Sequence, residues 1–297
     1  MLDSLILSGS PLILKSGKRS DFWHRVSKRG ACDDEDMGNT DVTKHTIQAF
    51  REQQQYGTGT NEILRASGLF RDFGFRLGPI DLSVREGETV AVIGPSGCGK
   101  SSLLRAMAGM DKPTHGTVTF DGKVLGKLGE KKLAQLRASR FAFIFQDYML
   151  LENLTIGENV ALPASIRGER MGDDEMLRAL ACVGLADKPL DTPVTSLSGG
   201  QQQRVAIARA LAIGADVLFA DEPTGNLDPK ARDEVVETIH ASMRAGLKAA
   251  LIVTHDPVVA SSADRVVLMA DGRVVQEYDD GLSAPQIEDL LLGVRNE

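Results

Sequence analysis

What this 297-residue chain lacks sets its limits. No apolar run approaches the roughly eighteen residues needed to span a bilayer, so work at a membrane would require another polypeptide to do the spanning. The first apolar stretches, Leu5-Ile6-Leu7 and Leu12-Ile13-Leu14, are split by Gly9, Ser10 and Pro11 and follow no basic residue. A secretory leader is therefore not expected. Cysteine is scarce: Cys32, Cys98 and Cys182 are scattered, odd in number and without metal-type spacing. That argues against a disulfide framework and for a reducing cytosol. A basic excess is missing as well. The formal net charge is −7, and residues 1–60 are balanced, so the negative excess lies in the remainder. Nucleic acid is not the expected partner.

What is present centres on Gly94-Pro95-Ser96-Gly97-Cys98-Gly99-Lys100-Ser101, which fits the phosphate-loop pattern GxxxxGK[ST] at every fixed position. Thr89-Val90-Ala91-Val92-Ile93 before it reads as a buried strand, and the run from Ser102 to Ala108 reads as a helix stopped by Gly109. Strand, glycine loop and helix are the context the motif needs. The glycines let successive backbone N–H groups turn inward around an anion at the positive end of the helix. Lys100 can then reach the terminal phosphates and the Ser101 hydroxyl can ligate Mg²⁺. By chance such a match arises in roughly one chain per hundred of this length. The loop is read as a nucleoside triphosphate site.

Around the loop the chain divides. Residues 1–60 hold a basic stretch (Lys15 to Arg29), an acidic one (Asp33 to Asp36) and a polar run, and are expected to form a disordered N-terminal extension. The basic stretch with Trp23 would also suit anionic lipid. Residues 61–297 form the expected α/β domain. Strands are expected at Glu62–Ala66, Ile80–Val84, Thr117–Phe120, Phe141–Phe145, Val217–Ala220, Ala249–Val253, Arg265–Met269 and Val274–Glu277, with a turn-rich segment between the first two. From about 147 to 196 no strand pattern occurs. A Thr155-x-x-Glu158 capping box opens a helix towards Arg167, and Asp173–Val183 reads as a second, so a helical insert is expected there. Helices alternate with short apolar strands, which makes the core a mostly parallel sheet.

Several polar residues fall at strand ends, where open α/β sheets place their ligands. Asp221 and Glu222 end the strand beginning at Val217: one carboxylate can hold Mg²⁺ and the other polarise an attacking water. Gln146 follows another strand and fits a surface residue as well as a contact to metal or water. His255 fits a structural cap as well as a contact to the γ-phosphate. Leu197-Ser198-Gly199-Gly200-Gln201 is itself a capping box, yet leaves a glycine-rich helix end free to bind an anion. Asp228-Pro229 starts a further helix.

With the phosphate loop ahead of it and Ala220-Asp221-Glu222-Pro223 behind, the run Ser198-Gly199-Gly200-Gln201 resembles the signature of ABC transporter nucleotide-binding subunits. The resemblance covers about 62 to 277. It implies an α/β fold with a P-loop (RecA-like) core, an antiparallel β subdomain and an inserted helical subdomain. It implies an ATPase using ATP and Mg²⁺, in which two subunits dimerise head to tail, as a homodimer or pseudo-dimer. The phosphate loop (Gly94, Pro95, Ser96, Gly97, Cys98, Gly99, Lys100, Ser101, with Ser102) would hold one ATP, and Ser198, Gly199, Gly200 and Gln201 would serve the partner's. Phe73 matches the aromatic that stacks on adenine, and Asp228 the loop that crosses the dimer. Glu222 matches the catalytic base and His255 the switch on the γ-phosphate. Gln146 matches the residue joining the metal site to the helical subdomain, and Lys100, Ser101 and Asp221 complete the catalytic and metal positions. An integral membrane permease would be the other partner, which implies a cytoplasmic location on the inner face of the cell membrane.

The run Thr224-Gly225-Asn226-Leu227-Asp228 resembles the lipoprotein-release, macrolide-export and cell-division group, which favours export or mechanical transmission. An importer ATPase is the alternative. A soluble ABC ATPase acting on DNA or ribosomes is less favoured, because neither long coiled coils nor tandem cassettes are present. A GTPase would need an Asn-Lys-x-Asp guanine motif, which is absent.

Overall fold

A computed structural model describes residues 61–72, 74–212, 214–225 and 227–294. The expected N-terminal extension and Phe73 therefore lie outside the described residues. The chain enters through a hairpin, β1 (Glu62–Asp72) and β2 (Arg76–Arg85), then β3 (Thr89–Ile93) and α1 (Lys100–Met107). β4 (His115–Phe120), the short β5 (Lys123–Val124), α2 (Glu130–Arg140) and β6 (Phe141–Ile144) follow. Then come α3 (Ile156–Ile166), α4 (Asp173–Ala181), α5 (Gly199–Leu211) and β7 (Val217–Asp221). The chain closes with α6 (Pro229–Ala245), β8 (Ala249–Val253), α7 (Pro257–Ser261), β9 (Arg265–Ala270), β10 (Arg273–Tyr278) and α8 (Ala284–Val294).

Two sheets organise these elements. One runs β10-β9-β3-β8-β7-β6, parallel except for β10; the other is antiparallel in the order β2-β1-β4-β5. The period of two along each central strand explains how they stack. In β7, Val217 and Phe219 join the core shared with α1 and the antiparallel sheet, while Leu218 and Ala220 join the core beneath α3, α4 and α5. In β8, Ala249, Leu251 and Val253 face the first core, and Ala250 and Ile252 the second. Covered on both sides, such strands must be apolar throughout, which is why they were legible as continuous runs. Phe141 meets Phe120 edge-on at 4.8 Å between ring centroids and Phe219 at 5.1 Å, joining the two sheets. Between β6 and β7 only helices and one isolated bridge, Thr155 with Pro193, occur among the described residues.

The first two strands differ from expectation. They run on to Asp72 and back from Arg76, closing the segment expected to be turn-rich into one long hairpin. Gly68, at φ 55, sits at a register shift between Ala66 and Leu69, so it marks a bulge and not a turn. β6 ends at Ile144, one residue early, and α7 and α8 had no sequence expectation.

Candidate nucleotide-binding site

The parallel strands β3, β7 and β8 are neighbours, so their carboxyl ends open side by side. At the end of β3 the chain turns through Gly94, Gly97 and Gly99, at φ 153, 80 and 103. Gly94 has no alternative: a Cβ there would lie 2.1 Å from the Met269 carbonyl oxygen on β9. At Gly97 a Cβ would meet nothing within 4 Å, so that glycine serves the left-handed backbone and leaves open space above the loop. Lys100 is buried and folds back on the loop, its Nζ donating to the carbonyls of Gly94 at 2.8 Å and Pro95 at 3.0 Å. Cys98 is buried too, which pushes its thiol pKa up. Pro95 is half-buried, Ser96 is exposed and Ser102 is half-buried. Phe75, partly exposed, lays its ring against Gly99.

The acidic pair meets this loop. Ser101 Oγ donates to Asp221 Oδ1 at 2.8 Å. Burial pushes the Asp221 carboxyl above the usual aspartate range and neighbouring Glu222 adds to that, against the Ser101 hydrogen bond and the charges of Lys100 and Arg105. Glu222 takes the left-handed backbone, φ 48, which costs a non-glycine residue about 1–3 kcal/mol and persists only where surroundings enforce it. Here the enforcement is visible. Its N–H donates to the Val253 carbonyl at 2.8 Å, and its carboxylate accepts from Thr254 Oγ1 at 3.2 Å and the His255 N–H at 3.3 Å. His255 Nδ1 lies 2.8 Å from Glu222 Oε1, with the His255 ring largely exposed. Thr254, fully buried, was not singled out in the sequence; its position between a buried strand and His255 was the available signal.

Phosphate loop, Asp221, Glu222 and His255 are thus brought together. Gln146, Ser198 to Gln201 and Asp228 are not: among the described residues no hydrogen bond joins them to that cluster. Gln146 is exposed in the turn after β6. Ser198 and Gln201 close their capping box, Gln201 N–H donating to Ser198 Oγ at 3.4 Å and Ser198 N–H to Gln201 Oε1 at 3.1 Å. Asp228 caps α6, accepting from the Ala231 N–H at 3.0 Å. Gly199 and Gly200 form the first turn of α5.

Residues 77–225 match the ABC transporter family. The chain belongs to the ABC transporter ATP-binding family. Its fold is the P-loop, RecA-like ABC ATPase core with an antiparallel sheet and a helical subdomain. It is 46% identical over 200 residues to the lipoprotein-releasing system ATP-binding protein LolD of Geobacter metallireducens, covering 67% of this chain and 88% of that protein. Over 242 residues, 80% of this chain, it is 45% identical to the macrolide export ATP-binding/permease protein MacB of Neisseria meningitidis, of which it spans 35%. The chain thus spans about a third of the MacB proteins it matches. The dimeric structure of MJ0796, a bacterial ABC transporter cassette, aligns with a TM-score of 0.67 at 35% identity, over 73% of this chain and 98% of that one. A post-hydrolysis MJ0796 structure, bound to ADP and Pi, aligns at 0.65 and 34% over the same shares.

Proposed function

We propose that this chain binds ATP with Mg²⁺ at the phosphate loop, closes on a second ATPase subunit, and hydrolyses the ATP to power a separate membrane permease. The observation that carries the reading is Glu222, held by Thr254 and His255 beside the Ser101–Asp221 pair. The residues fit the cation. Mg²⁺ is commonly held by one or two protein groups plus the phosphates it arrives with, and Ser101 with the desolvated Asp221 offers such a pair. Among the described residues no group of three His, Cys, Asp or Glu could hold a metal by itself, so the phosphates would complete the shell. When bound, Mg²⁺ supplies neutralising charge at the β- and γ-phosphate oxygens.

The protein's own part is positional. The loop N–H groups and Lys100 grip the phosphates, Glu222 orients the attacking water, and His255 reaches the γ-phosphate from the exposed side. Phe73 stacks on adenine in this reading. Ser198 to Gln201 serve the ATP of the second copy, Asp228 lies at the crossing between copies, and Gln146 links the metal to the helical region. Exposed Met149, Leu151, Ile166 and Leu177 give that region an apolar surface suited to a permease contact. No helix among the described residues is long and apolar enough to cross a membrane, so the permease would hold the complex on the inner face. The likeness to LolD and MacB favours export or mechanical transmission over import.

Glu222→Gln keeps the shape and removes the base. Turnover is expected to fall by about 10²–10⁴-fold with ATP affinity retained. Near-normal turnover would remove Glu222 from this role.

A further inference from the structure

Outside the acidic pair and the phosphate loop, the most unusual arrangement lies in the loop between β6 and α3. Tyr148 and Met149 are consecutive non-glycine residues in the left-handed region, at φ 56 and 49. Neither is favoured there, because Cβ crowds the carbonyl. The loop's two ends are anchored. Phe145 stacks on Phe143 at 5.6 Å between centroids. Leu151 is bound at both backbone groups by the fully buried Asn159, its N–H donating to Oδ1 at 2.8 Å and its carbonyl accepting from Nδ2 at 3.1 Å. Between the anchors, both left-handed residues are gripped by one side chain. Arg209, in the last turn of α5, donates from Nη2 to the Tyr148 carbonyl at 2.8 Å and from Nη1 to the Met149 carbonyl. It forms no ion pair with a carboxylate among the described residues. Burial without such a partner lowers its pKa, the cost of committing a guanidinium to backbone alone.

Gln146 stands two residues before the gripped pair and makes no side-chain hydrogen bond among the described residues. Its aim therefore depends on the backbone. We propose that Arg209 is a positioning residue: by holding the Tyr148 and Met149 carbonyls it maintains the left-handed pair that sets Gln146 for catalysis. Because Ser198 caps α5, this also fastens the Gln146 loop to the helix whose other end would serve the second copy's ATP. The inference rests on the proposed function, since it assigns Gln146 a part in turnover.

The test is a double-mutant cycle on the full chain, with steady-state ATPase and ATP as the probe. Arg209→Ala and Gln146→Ala should each lower kcat by roughly tenfold and leave KM within about twofold. The double variant should be no slower than Gln146→Ala alone, because residues acting through one another are non-additive. Met149→Gly should restore much of the Arg209→Ala loss, since glycine holds φ near 50° without a steric cost. Multiplying defects, unchanged turnover, or no restoration by glycine would overturn the proposal. If Arg209→Ala does not fold, Arg209→Lys enters the same cycle, lacking the fork that reaches two carbonyls. Amide hydrogen exchange gives a second readout that needs no turnover. Exchange at Tyr148 and Met149 should quicken in the Arg209 variant and slow again with Met149→Gly, and unchanged exchange overturns the proposal. An inactive wild type, or an unaffected Glu222→Gln, would instead count against the ATPase reading itself.

Discussion

Asp221 is a carboxylate whose position works against folding and, in the proposed function, in favour of cation binding. Its pKa is raised, chiefly by burial, so the folded chain holds this proton to higher pH than the unfolded chain does. Stability is therefore lost as pH rises from the ordinary aspartate range through the raised value, and the penalty persists at neutral pH. Asp221→Asn removes the charge while keeping an acceptor for the Ser101 hydroxyl. In the absence of nucleotide this variant should melt at a higher temperature than wild type at pH 7, the gain shrinking below the ordinary aspartate range. The same variant should lose Mg²⁺-dependent strengthening of ATP binding, measured by calorimetry with and without Mg²⁺. In the wild type that strengthening should fade on acidification sooner than an unperturbed aspartate would predict. A melting temperature unchanged or lowered by Asp221→Asn would contradict the argument. Such an exchange of stability for activity is common where a charge is held ready for a ligand.

Helix α5 tests whether a cap can also be a ligand. Ser198→Ala should cost about 1 kcal/mol through the lost cap whatever the helix end does, so it decides nothing. Ser198→Asp is sharper. Aspartate caps as well as serine, so the melting temperature should stay close to wild type, but it sets a negative charge where a phosphate is proposed to sit. ATPase activity should fall at least about tenfold; unchanged activity would leave Ser198 a cap alone. That α5, α3 and α6 could be read from sequence follows from the same local chemistry. Ser198 with Gln201, Thr155 with Glu158, and Asp228 before Pro229 satisfy orphan N–H groups within a single turn, and the structure contains each cap. The glycines of the phosphate loop were legible for a similar reason, since their backbone angles are a local requirement. What escaped reading was non-local. The segment after Ala66 was expected to be turn-rich because the bulge at Gly68 is defined only by the partner strand. Helix α8 is the exception: Ser283 N–H donates to Gln286 Oε1 at 3.0 Å, so its local start signal was present and went unread, and Ile287 then joins a core with Ala260 and Val266. The grip of Arg209 on Tyr148, and that of Gln203 Nε2 on the Pro223 carbonyl just after Glu222, join residues far apart in the chain, which no spacing rule reveals.

At the scale of the molecule, no hydrogen bond among the described residues joins two sets of candidate site residues. Ser101 of the phosphate loop bonds to Asp221, and Glu222, the next residue, to His255, while the Ser198 and Gln201 side chains bond within the head of α5. A site for one ATP is complete at the first group alone only if the signature serves nothing. If it serves the second copy, the two groups must meet between chains and not within one. Disulfide trapping distinguishes these cases. Ser96 is the better reporter on the loop, being exposed and free of the left-handed angle that would strain a side chain at Gly97. Cys98 is buried with its thiol pKa raised, so it is a poor competitor for oxidation. With Cys32 and Cys182 replaced, Ser96→Cys and Ser198→Cys in a Glu222→Gln background should give a species of doubled mass on oxidation with ATP. Without nucleotide, or with Lys100→Ala added, the doubled species should be absent. Its absence with ATP present, while ATP binding is intact, would mean that the head of α5 never reaches another copy's phosphate loop.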